Sequence, residues 1–257
     1  MLAVVRILAL GVFIVVMGII GCLFCLMRPF HRDNTRLFAH IFGYMHRILG
    51  LRLEIRVPQQ VRDGGPFVYA CNHQNSWDIF TLSGALPKNT VTIGKKSLVF
   101  IPFFGQLYWL AGNILIDRKN KGRAHGTITQ ASTAIKQRDI SIWLFPEGTR
   151  SYGRGLLPFK KGAFHTAMRA GVDIVPVCVS NLHDKIKLNR WNNGVVIIEM
   201  LKPIPIQNYR RENIRELMAR CHELMHAKIS HLNEEVAQRE GRQLTADDVV
   251  SGDKDEV

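Results

Sequence analysis

The feature that most limits the fold of this chain is the alternation of short apolar runs with longer amphipathic segments after residue 50. The apolar runs are rich in β-branched and aromatic residues and have the length of buried strands. Strand candidates are residues 53–57, 67–71, 91–93, 114–116, 140–145, 174–179 and 195–200. Helix candidates between and after them are residues 76–85, 102–110, 124–136, 163–170 and 212–238. This alternation predicts an α/β domain whose mixed, mainly parallel sheet is flanked by helices.

The first 50 residues differ from the rest and predict a membrane-anchoring unit of two hydrophobic helices. Residues 7–27 carry no charged side chain, and as a helix they would be about 31 Å long, enough for a bilayer core of about 30 Å. Residues 35–49 place their apolar side chains on one helical face, which suits a helix lying on the bilayer. A helix packed on the protein core would show the same pattern. Whether residues 7–27 cross the bilayer or lie in one leaflet also stays open.

Charge and cysteine usage limit the partners and the compartment. The net charge of +13 predicts an anionic partner such as anionic lipid, a phosphorylated substrate or an acidic carrier protein. Nucleic acid is not expected, because aromatic residues do not interleave with the basic runs. Arg28, Arg32 and Arg36 follow the apolar run whereas only Arg6 precedes it, so the positive-inside rule predicts a cytoplasmic body. The five cysteines resemble buried thiols, which suits a reducing compartment.

These patterns divide the chain into three parts. Residues 1–50 are the expected anchor, residues 51–240 the α/β domain, and residues 241–257 an acidic tail that is predicted to be disordered.

A histidine and an aspartate lie where one strand candidate meets the next helix candidate. His73 follows residues 67–71, and Asp78 lies near the start of residues 76–85. An imidazole can take a proton from a hydroxyl near neutral pH, and a carboxylate on its other nitrogen fixes the tautomer. With Ser76 as the expected helix N-cap, Asp78 falls in the first helical turn and its side chain can converge with His73. A satisfied surface pair is the common alternative.

Basic residues follow three later strand candidates and predict an anion site. The segments are Gly94-Lys95-Lys96-Ser97, the stretch from Gly112 to Arg118, and Phe145-Pro146-Glu147-Gly148-Thr149-Arg150. Arg118 and Arg150 could clamp a phosphate in bidentate fashion, and Glu147 could accept a hydrogen bond from a substrate hydroxyl. The alternative for each arginine is a salt bridge to Asp117 or Glu147. No compact set of residues has the spacing of metal ligands.

Four motifs in fixed order resemble the four blocks of the glycerolipid acyltransferases. They are His73-x4-Asp78, the Gly112-to-Arg118 stretch, Glu147-Gly-Thr-Arg150 and Val175-Pro176. The likeness extends to about residue 238 and is closest to the bacterial inner-membrane members that acylate lysophosphatidic acid. The resemblance implies an enzyme of phospholipid biosynthesis. It would transfer a fatty acyl group from a thioester to the sn-2 hydroxyl of 1-acyl-sn-glycerol 3-phosphate, giving phosphatidic acid.

The resemblance also implies the role of individual residues. His73 would be the general base and Asp78 would orient it, while Pro176 belongs to the block that shapes the acyl-binding region. The implied substrate-binding residues are Lys95, Lys96, Arg118, Glu147, Gly148, Thr149 and Arg150. Neither a metal nor another cofactor is expected, and the co-substrate would be acyl-acyl carrier protein or acyl-CoA. The expected partners are therefore lysophosphatidic acid, the acyl donor and membrane lipid, with the catalytic domain on the cytoplasmic side of the inner membrane.

Three alternatives remain at this point. The first keeps the family and changes the acceptor to another lysophospholipid, because a phosphate clamp does not distinguish head groups. The second is a thioesterase or esterase with Ser76 as nucleophile, which the lack of a Gly-x-Ser-x-Gly elbow around it disfavours. The third is a non-enzymatic basic scaffold that binds anionic lipid or nucleic acid.

Overall fold

The computed structural model describes residues 1–116 and 121–244, apart from the side chains of residues 121–125 and 211. The helices are α1 (Leu2–Met27), α2 (Asn34–Gly43), α3 (Gln59–Asp63), α4 (Asp78–Thr81), α5 (Phe104–Leu110), α6 (Lys121–Arg138), α7 (Gly162–Ala170) and α8 (Ile214–Arg239). The strands are β1 (Leu51–Arg56), β2 (Val68–Cys71), β3 (Thr90–Lys95), β4 (Ile114–Ile116), β5 (Ser141–Leu144), β6 (Ile174–Val179) and β7 (Gly194–Met200). All seven predicted strands are present.

The strands form one sheet in the order β1-β7-β6-β2-β5-β3-β4. Every neighbouring pair is parallel except β6 and β7, which are antiparallel. The predicted mixed, mainly parallel α/β sheet is therefore confirmed. Because β2, β5 and β3 are parallel neighbours, the loops that follow them leave the sheet at the same edge. These loops carry His73, the segment from Glu147 to Arg150, and Lys96.

Both faces of the sheet are covered, as expected for parallel strands with near-continuous apolar sequences. All four residues of β5 and all six of β6 are buried. Side chains of α6, α7 and α8 pack on one face. Side chains of α1, α2, α4 and α5 pack on the other face. The loops with the candidate site residues adjoin this second face.

Helix α1 packs along α5 through two glycines that permit close approach. A Cβ atom added at Gly18 would lie 2.6 Å from Phe103 Cβ, and one at Gly21 would lie 2.7 Å from a methyl carbon of Leu107. Among the described helices, α1 alone is long and apolar enough to cross a membrane. It thus packs on the domain with one face, while much of its opposite face is exposed.

The first turns of α1 are fixed to the loop between β6 and β7. The buried Arg6 guanidinium donates hydrogen bonds of 2.9, 2.7 and 3.1 Å to the carbonyl oxygens of Leu188, Arg190 and Trp191. The backbone amide of Ala3 donates to Asn189 Oδ1 over 2.9 Å. Both ends of α1 are therefore bound to the same body.

The second predicted membrane helix needs correction. Helix α2 ends at Gly43 and a short 3₁₀ segment, Tyr44–His46, follows it. Phe38 and Phe42 are buried, and the Phe42 ring lies 5.0 Å from that of Phe13 in α1. The apolar face of α2 therefore packs inside the protein, which was the alternative that the sequence left open.

The helix predicted over residues 76–85 is also different. It begins at Asp78, and after Thr81 it tightens into a 3₁₀ segment, Leu82–Ala85. Ser76 is exposed and is not the N-cap. Instead Asn75 Oδ1 accepts a hydrogen bond of 2.9 Å from the Trp77 amide. The sequence prediction assigned the cap to the Ser76 hydroxyl. The Asn75 side chain, one residue earlier, makes the same type of local hydrogen bond instead.

Candidate active site

His73 and Asp78 converge as the sequence predicted. The distance between His73 Nδ1 and Asp78 Oδ2 is 2.6 Å. The same carboxylate oxygen accepts bonds of 2.8 and 3.3 Å from the amides of Gln74 and Asn75, so the turn closes around the buried Asp78 side chain. An ionised carboxylate only accepts, so Nδ1 carries the proton and Nε2 has a free lone pair. The Phe145 ring stacks on the imidazole at 4.0 Å.

The turn that carries His73 is joined to the end of β6 by two amide side chains. Asn72 accepts from the Val179 amide over 2.9 Å and donates to the Val179 carbonyl over 3.2 Å. Gln74 donates to the Ser180 carbonyl over 2.8 Å and accepts from the Leu182 amide over 2.7 Å. These bonds hold the backbone on both sides of His73. They are a contribution of the segment that follows the fourth motif, and the sequence did not reveal it.

Pro176, which the resemblance assigns to the block that shapes the acyl-binding region, lies in the central sheet. It is buried in β6 opposite Ala70 of β2 and does not line the cavity described below.

The Glu147 carboxylate accepts hydrogen bonds from two backbone amides, one of them in the His73 turn. Its Oε1 accepts from the His73 amide over 2.7 Å and its Oε2 from the Leu157 amide over 3.0 Å. The side chain is 2% exposed. Burial raises the pKa of Glu147 to about 7, although these two hydrogen bonds and Arg154 act in the opposite direction. Glu147 does not line the cavity, so the predicted contact with a substrate hydroxyl is replaced by contacts with the backbone.

The other predicted substrate-binding residues fall into three groups. Lys95, Thr149 and Arg150 line the cavity next to His73. Lys96 is exposed but does not line it, and Gly148, with φ of 69°, forms the turn between Glu147 and Thr149. A Cβ atom at Gly148 would lie 2.8 Å from Lys160 Nζ. Arg118 and its neighbour Asp117 lie outside the described residues.

The cavity beside His73 has a volume of about 590 Å³. Its polar rim contains His73, Lys95 and Arg150, and its interior is mainly apolar. The apolar side chains come from α2, α4, α5 and the segments next to them: Phe38, Phe42, Leu82, Leu86, Phe104 and Leu107. A cavity of this type is suited to an amphipathic molecule with one apolar chain and an anionic end.

A small polar cluster interrupts the apolar wall on the β3–β4 side. Asn113 Oδ1 accepts from the Thr92 amide over 2.8 Å, from the Thr92 hydroxyl over 2.9 Å and from the Thr35 hydroxyl over 3.2 Å. Tyr108 lies beside Thr92 with its hydroxyl 2.5 Å from Thr92 Oγ1. All four residues line the cavity. Sequence inspection missed this cluster because its members are far apart in the chain.

Tyr152 was also missed, although it lies only two residues after the third motif. Arg150 donates a hydrogen bond of 3.0 Å to the Tyr152 hydroxyl, and both side chains line the cavity. The Tyr152 amide donates to the Gln74 carbonyl over 2.9 Å, and the Ser151 amide donates to the His73 carbonyl over 2.8 Å. The segment that carries Arg150 is thereby paired with the His73 turn.

Within the described parts of the chain, no group of three or more His, Cys, Asp or Glu side chains is arranged to hold a metal ion.

Comparisons with known proteins agree with this geometry. The model of the acyltransferase family matches residues 52–180. The 1-acyl-sn-glycerol-3-phosphate acyltransferases of Escherichia coli and Salmonella typhimurium are 50% and 49% identical over 240 residues. Each alignment covers 93% of this chain and 98% of the relative. A crystal structure of the 1-acyl-sn-glycerophosphate acyltransferase of Thermotoga maritima superposes with a TM-score of 0.68 at 22% identity. The superposition covers 90% of this chain and 95% of that one.

The structure from Thermotoga maritima establishes the shared fold. The family match covers half of the chain, and the bacterial relatives are half identical to it over nearly their full length. This chain therefore belongs to the acyltransferase family.

Proposed function

We propose that this protein transfers a fatty acyl group from a thioester to the sn-2 hydroxyl of 1-acyl-sn-glycerol 3-phosphate, which gives phosphatidic acid. The observation that carries the proposal is the position of the His73–Asp78 pair between a basic rim and an apolar cavity. The acceptor has the same polarity, since it joins an anionic phosphate to one acyl chain. The names of the bacterial relatives support the same acceptor.

In this proposal His73 acts as the general base. Its Nε2 takes the proton of the sn-2 hydroxyl while Asp78 stabilises the imidazolium through Nδ1. The hydroxyl oxygen forms an ester bond to the acyl carbon, and the bond between that carbon and sulfur breaks. The proton then passes from His73 to the departing thiolate, which leaves as a free thiol. No cofactor takes part, and the thioester supplies the driving force.

Lys95, Thr149 and Arg150 bind the phosphate in this proposal, because they line the cavity on the side of His73. A guanidinium offers a planar pair of donors that matches phosphate oxygens, and the bond to Tyr152 keeps that plane in one orientation. Lys96 and Arg118 are further candidates for this site. Glu147 and Gly148 act through the backbone, Glu147 by holding the His73 amide and Gly148 by forming the turn before Thr149.

The acyl donor is acyl-acyl carrier protein or acyl-CoA, both of which present a thioester on a long anionic carrier. The net charge of +13 favours the approach of either. The protein acts on the cytoplasmic face of the bacterial inner membrane, where α1 lies in one leaflet with its exposed apolar face toward the acyl chains. The contacts of both ends of α1 with the same body favour this arrangement over a spanning helix.

The decisive test is product analysis by mass spectrometry. Purified protein is incubated with lysophosphatidic acid and either acyl-acyl carrier protein or acyl-CoA, with lysophosphatidylcholine and lysophosphatidylethanolamine as competing acceptors. We expect phosphatidic acid as the main product and His73→Ala as the inactive control. Preferred acylation of one of the competing lysophospholipids would assign a different acceptor to the enzyme. Lipid binding without any acyl transfer would show that the protein is a non-enzymatic membrane scaffold.

A further inference from the structure

The loop between β3 and α5, residues 96–103, exposes more apolar surface than a loop in water normally does. Phe100 is 81% exposed, and Ile101 and Phe103 are each 43% exposed. Burial of large apolar side chains is favourable, so three of them in one short loop form a surface that favours an apolar environment. Isolated exposed apolar residues are common, but a contiguous group marks an interaction site.

These side chains are exposed although the backbone of the loop is hydrogen-bonded and closely packed. The Ile101 amide bonds to the Leu98 carbonyl over 3.0 Å, and the Gly105 amide bonds to the Ile101 carbonyl over 2.8 Å. A Cβ at Gly105 would lie 2.2 Å from the Leu98 carbonyl oxygen, so the loop is pressed against the start of α5. Phe103 has a φ of 63°, which is rare for a bulky residue and needs support from its surroundings.

The loop is continuous with the apolar surface of α1. Phe103 packs on Gly18 in the second half of that helix, and Cys22 Sγ lies 3.7 Å from the Phe103 carbonyl oxygen. The exposed face of α1 carries valine, isoleucine and leucine side chains over its whole length: Val4, Val5, Ile7, Leu8, Val12, Val15, Val16, Ile19, Ile20, Leu23 and Leu26. The loop therefore contacts the second half of α1 on the docked side that contains Gly18, and its own exposed apolar side chains lie beside that helix.

The base of the loop reaches the cavity and carries positive charge. Lys95, Ser97 and Leu98 line the cavity, while Phe100 and Ile101 do not. Lys95 and Lys96 are exposed, and Arg28 is exposed at the end of α1. Basic side chains at the border of an apolar surface suit the anionic head groups of a bilayer, which attract them electrostatically. A soluble protein partner would not require this combination of an uncharged apolar face and a basic border.

We propose that the loop of residues 96–103 is a second membrane-inserted element, which places Phe100 and Ile101 in the same leaflet as α1. Its occupant is a bilayer leaflet that contains anionic lipid. The cavity rim at Lys95 and Ser97 then lies at the level of the head groups, so a lysophospholipid enters sideways from the leaflet with its phosphate already beside Lys95. This inference rests on the proposed function at the membrane, but its test does not depend on activity.

The test measures the depth of one added tryptophan at a time, above the background of the four native tryptophans, in vesicles that contain phosphatidylglycerol and brominated lipids. Phe100→Trp is compared with Val16→Trp on the exposed face of α1 and with Glu223→Trp on α8, which packs on the opposite face of the sheet. Each signal is the increment over the wild-type protein. We expect bromine to quench the added fluorescence of Phe100→Trp and Val16→Trp and to leave that of Glu223→Trp unchanged.

A second measurement uses Phe100→Ser, which removes the apolar side chain at an exposed position. We expect its affinity for the same vesicles to fall by about ten-fold, while its transfer rate on detergent-dispersed substrate stays at the wild-type value. Quenching of Val16→Trp without quenching of Phe100→Trp would overturn the inserted loop and leave the proposed function intact. A Phe100→Trp signal that responds to protein concentration instead of lipid would assign the loop to contact with a second copy. Absence of acyl transfer by the wild-type protein would instead overturn the proposed function.

Discussion

His73 is held by three contacts, each of which affects a different property of its imidazole. Asp78 fixes the tautomer through Nδ1, and Phe145 stacks on the ring and limits its rotation. Glu147 binds the backbone amide and so fixes the position of the Cα atom. A base that is held in this way needs little reorganisation when a hydroxyl approaches.

Removal of the base is the most direct residue-scale prediction. His73→Ala should lower kcat by about 10²–10⁴-fold, because general-base catalysis typically contributes that factor. Asp78→Asn should also lower kcat while the fold is retained, since the amide oxygen can still accept a backbone bond. Ser76→Ala is the matched control and should keep kcat within a few-fold of wild type. A trapped acyl group on Ser76, together with loss of activity in Ser76→Ala, would favour a serine nucleophile instead.

Substitution of Arg150 tests the anion site. Arg150→Ala should weaken binding of lysophosphatidic acid by about 1.5–3 kcal/mol, which is the usual worth of a hydrogen bond to a charged group. Arg150→Lys should restore only part of it, because an ammonium lacks the planar pair of donors. Arg220→Ala on α8 removes the same charge far from the cavity and serves as the control in measurements of KM. Equal KM values for all three variants and wild type would give Arg150 a purely structural role.

The buried carboxyl of Glu147 predicts a pH dependence of stability. Its pKa is about 7 in the folded protein, because burial disfavours the ionised form, against an ordinary value of about 4.3 for an exposed glutamate. The native state thus binds more protons than the unfolded chain between these values, so this group lowers the free energy of unfolding as pH rises from about 4 to 7. The loss is on the order of 4 kcal/mol and is complete about one unit above pH 7.

The difference in unfolding free energy between wild type and Glu147→Gln, measured from pH 4 to 8, isolates this contribution. Asp78 and Arg154 are the charged groups that act on Glu147, and both remain in the variant. Glu147→Gln should also lower kcat with little change in KM, because only one of the two backbone amides keeps an acceptor and the His73 turn shifts. A raised KM with normal kcat would support direct contact between Glu147 and the substrate.

At the scale of elements, strands were easier to predict than the site they position. Most strands are short apolar runs, so the local sequence is enough to predict their burial, and β4 and β6 were predicted to the residue. Helix α2 was predicted to be too long, because the apolar pattern continues past Gly43 while the chain tightens into Tyr44–His46. At Gly43 a Cβ would lie 2.5 Å from the Gly84 amide, and that close approach depends on tertiary structure.

The same distinction applies to the site. His73 and Asp78 are five residues apart, so local turn geometry sufficed to predict their meeting. The orientation of Glu147 could not be predicted, because a glutamate before a glycine turn can face a ligand or the backbone amides of distant loops. The cluster of Thr35, Thr92 and Asn113 depends on three separate elements. Arg118, a central part of the predicted clamp, lies outside the described residues and stays a prediction.

The packing of α1 on α5 gives the element-scale prediction. Gly18→Val should lower the stability of the protein in detergent by about 1–3 kcal/mol, which is typical of overpacking, because the added Cβ meets Phe103 at its Cβ and its backbone. Gly11→Val is the matched control, since a Cβ there has no atom within 4 Å. Thermal unfolding of both variants measures the difference. Equal stabilities would mean that α1 is not docked on α5 in solution.

At the scale of the whole molecule, the two faces of the sheet serve different surroundings. The face with α7 and α8 carries charged outer surfaces, as in the pair Arg220–Glu223. The opposite face is covered by α1, whose outer side is apolar. If α1 lies in one leaflet as proposed, the body is half immersed in the membrane, and the cavity lies at the boundary between lipid and water.

The side of the membrane on which the N-terminus lies tests this arrangement. If α1 lies in one leaflet, its first residues stay on the loop between β6 and β7, where the Ala3 amide meets Asn189 and Arg6 binds three carbonyl groups. An epitope tag before Met1 should then lie on the cytoplasmic side together with the body. Protease added to intact bacterial spheroplasts should leave the tag uncut, and the same protease should remove it after the membrane is permeabilised. A spanning α1 would pull Arg6 from its carbonyl partners and expose the tag outside, where it would be cut in intact spheroplasts.

Arg6→Met keeps the helix apolar but removes the three bonds, so it tests whether they retain the N-terminus. We expect a fraction of this variant to become accessible, whereas the wild-type tag remains protected.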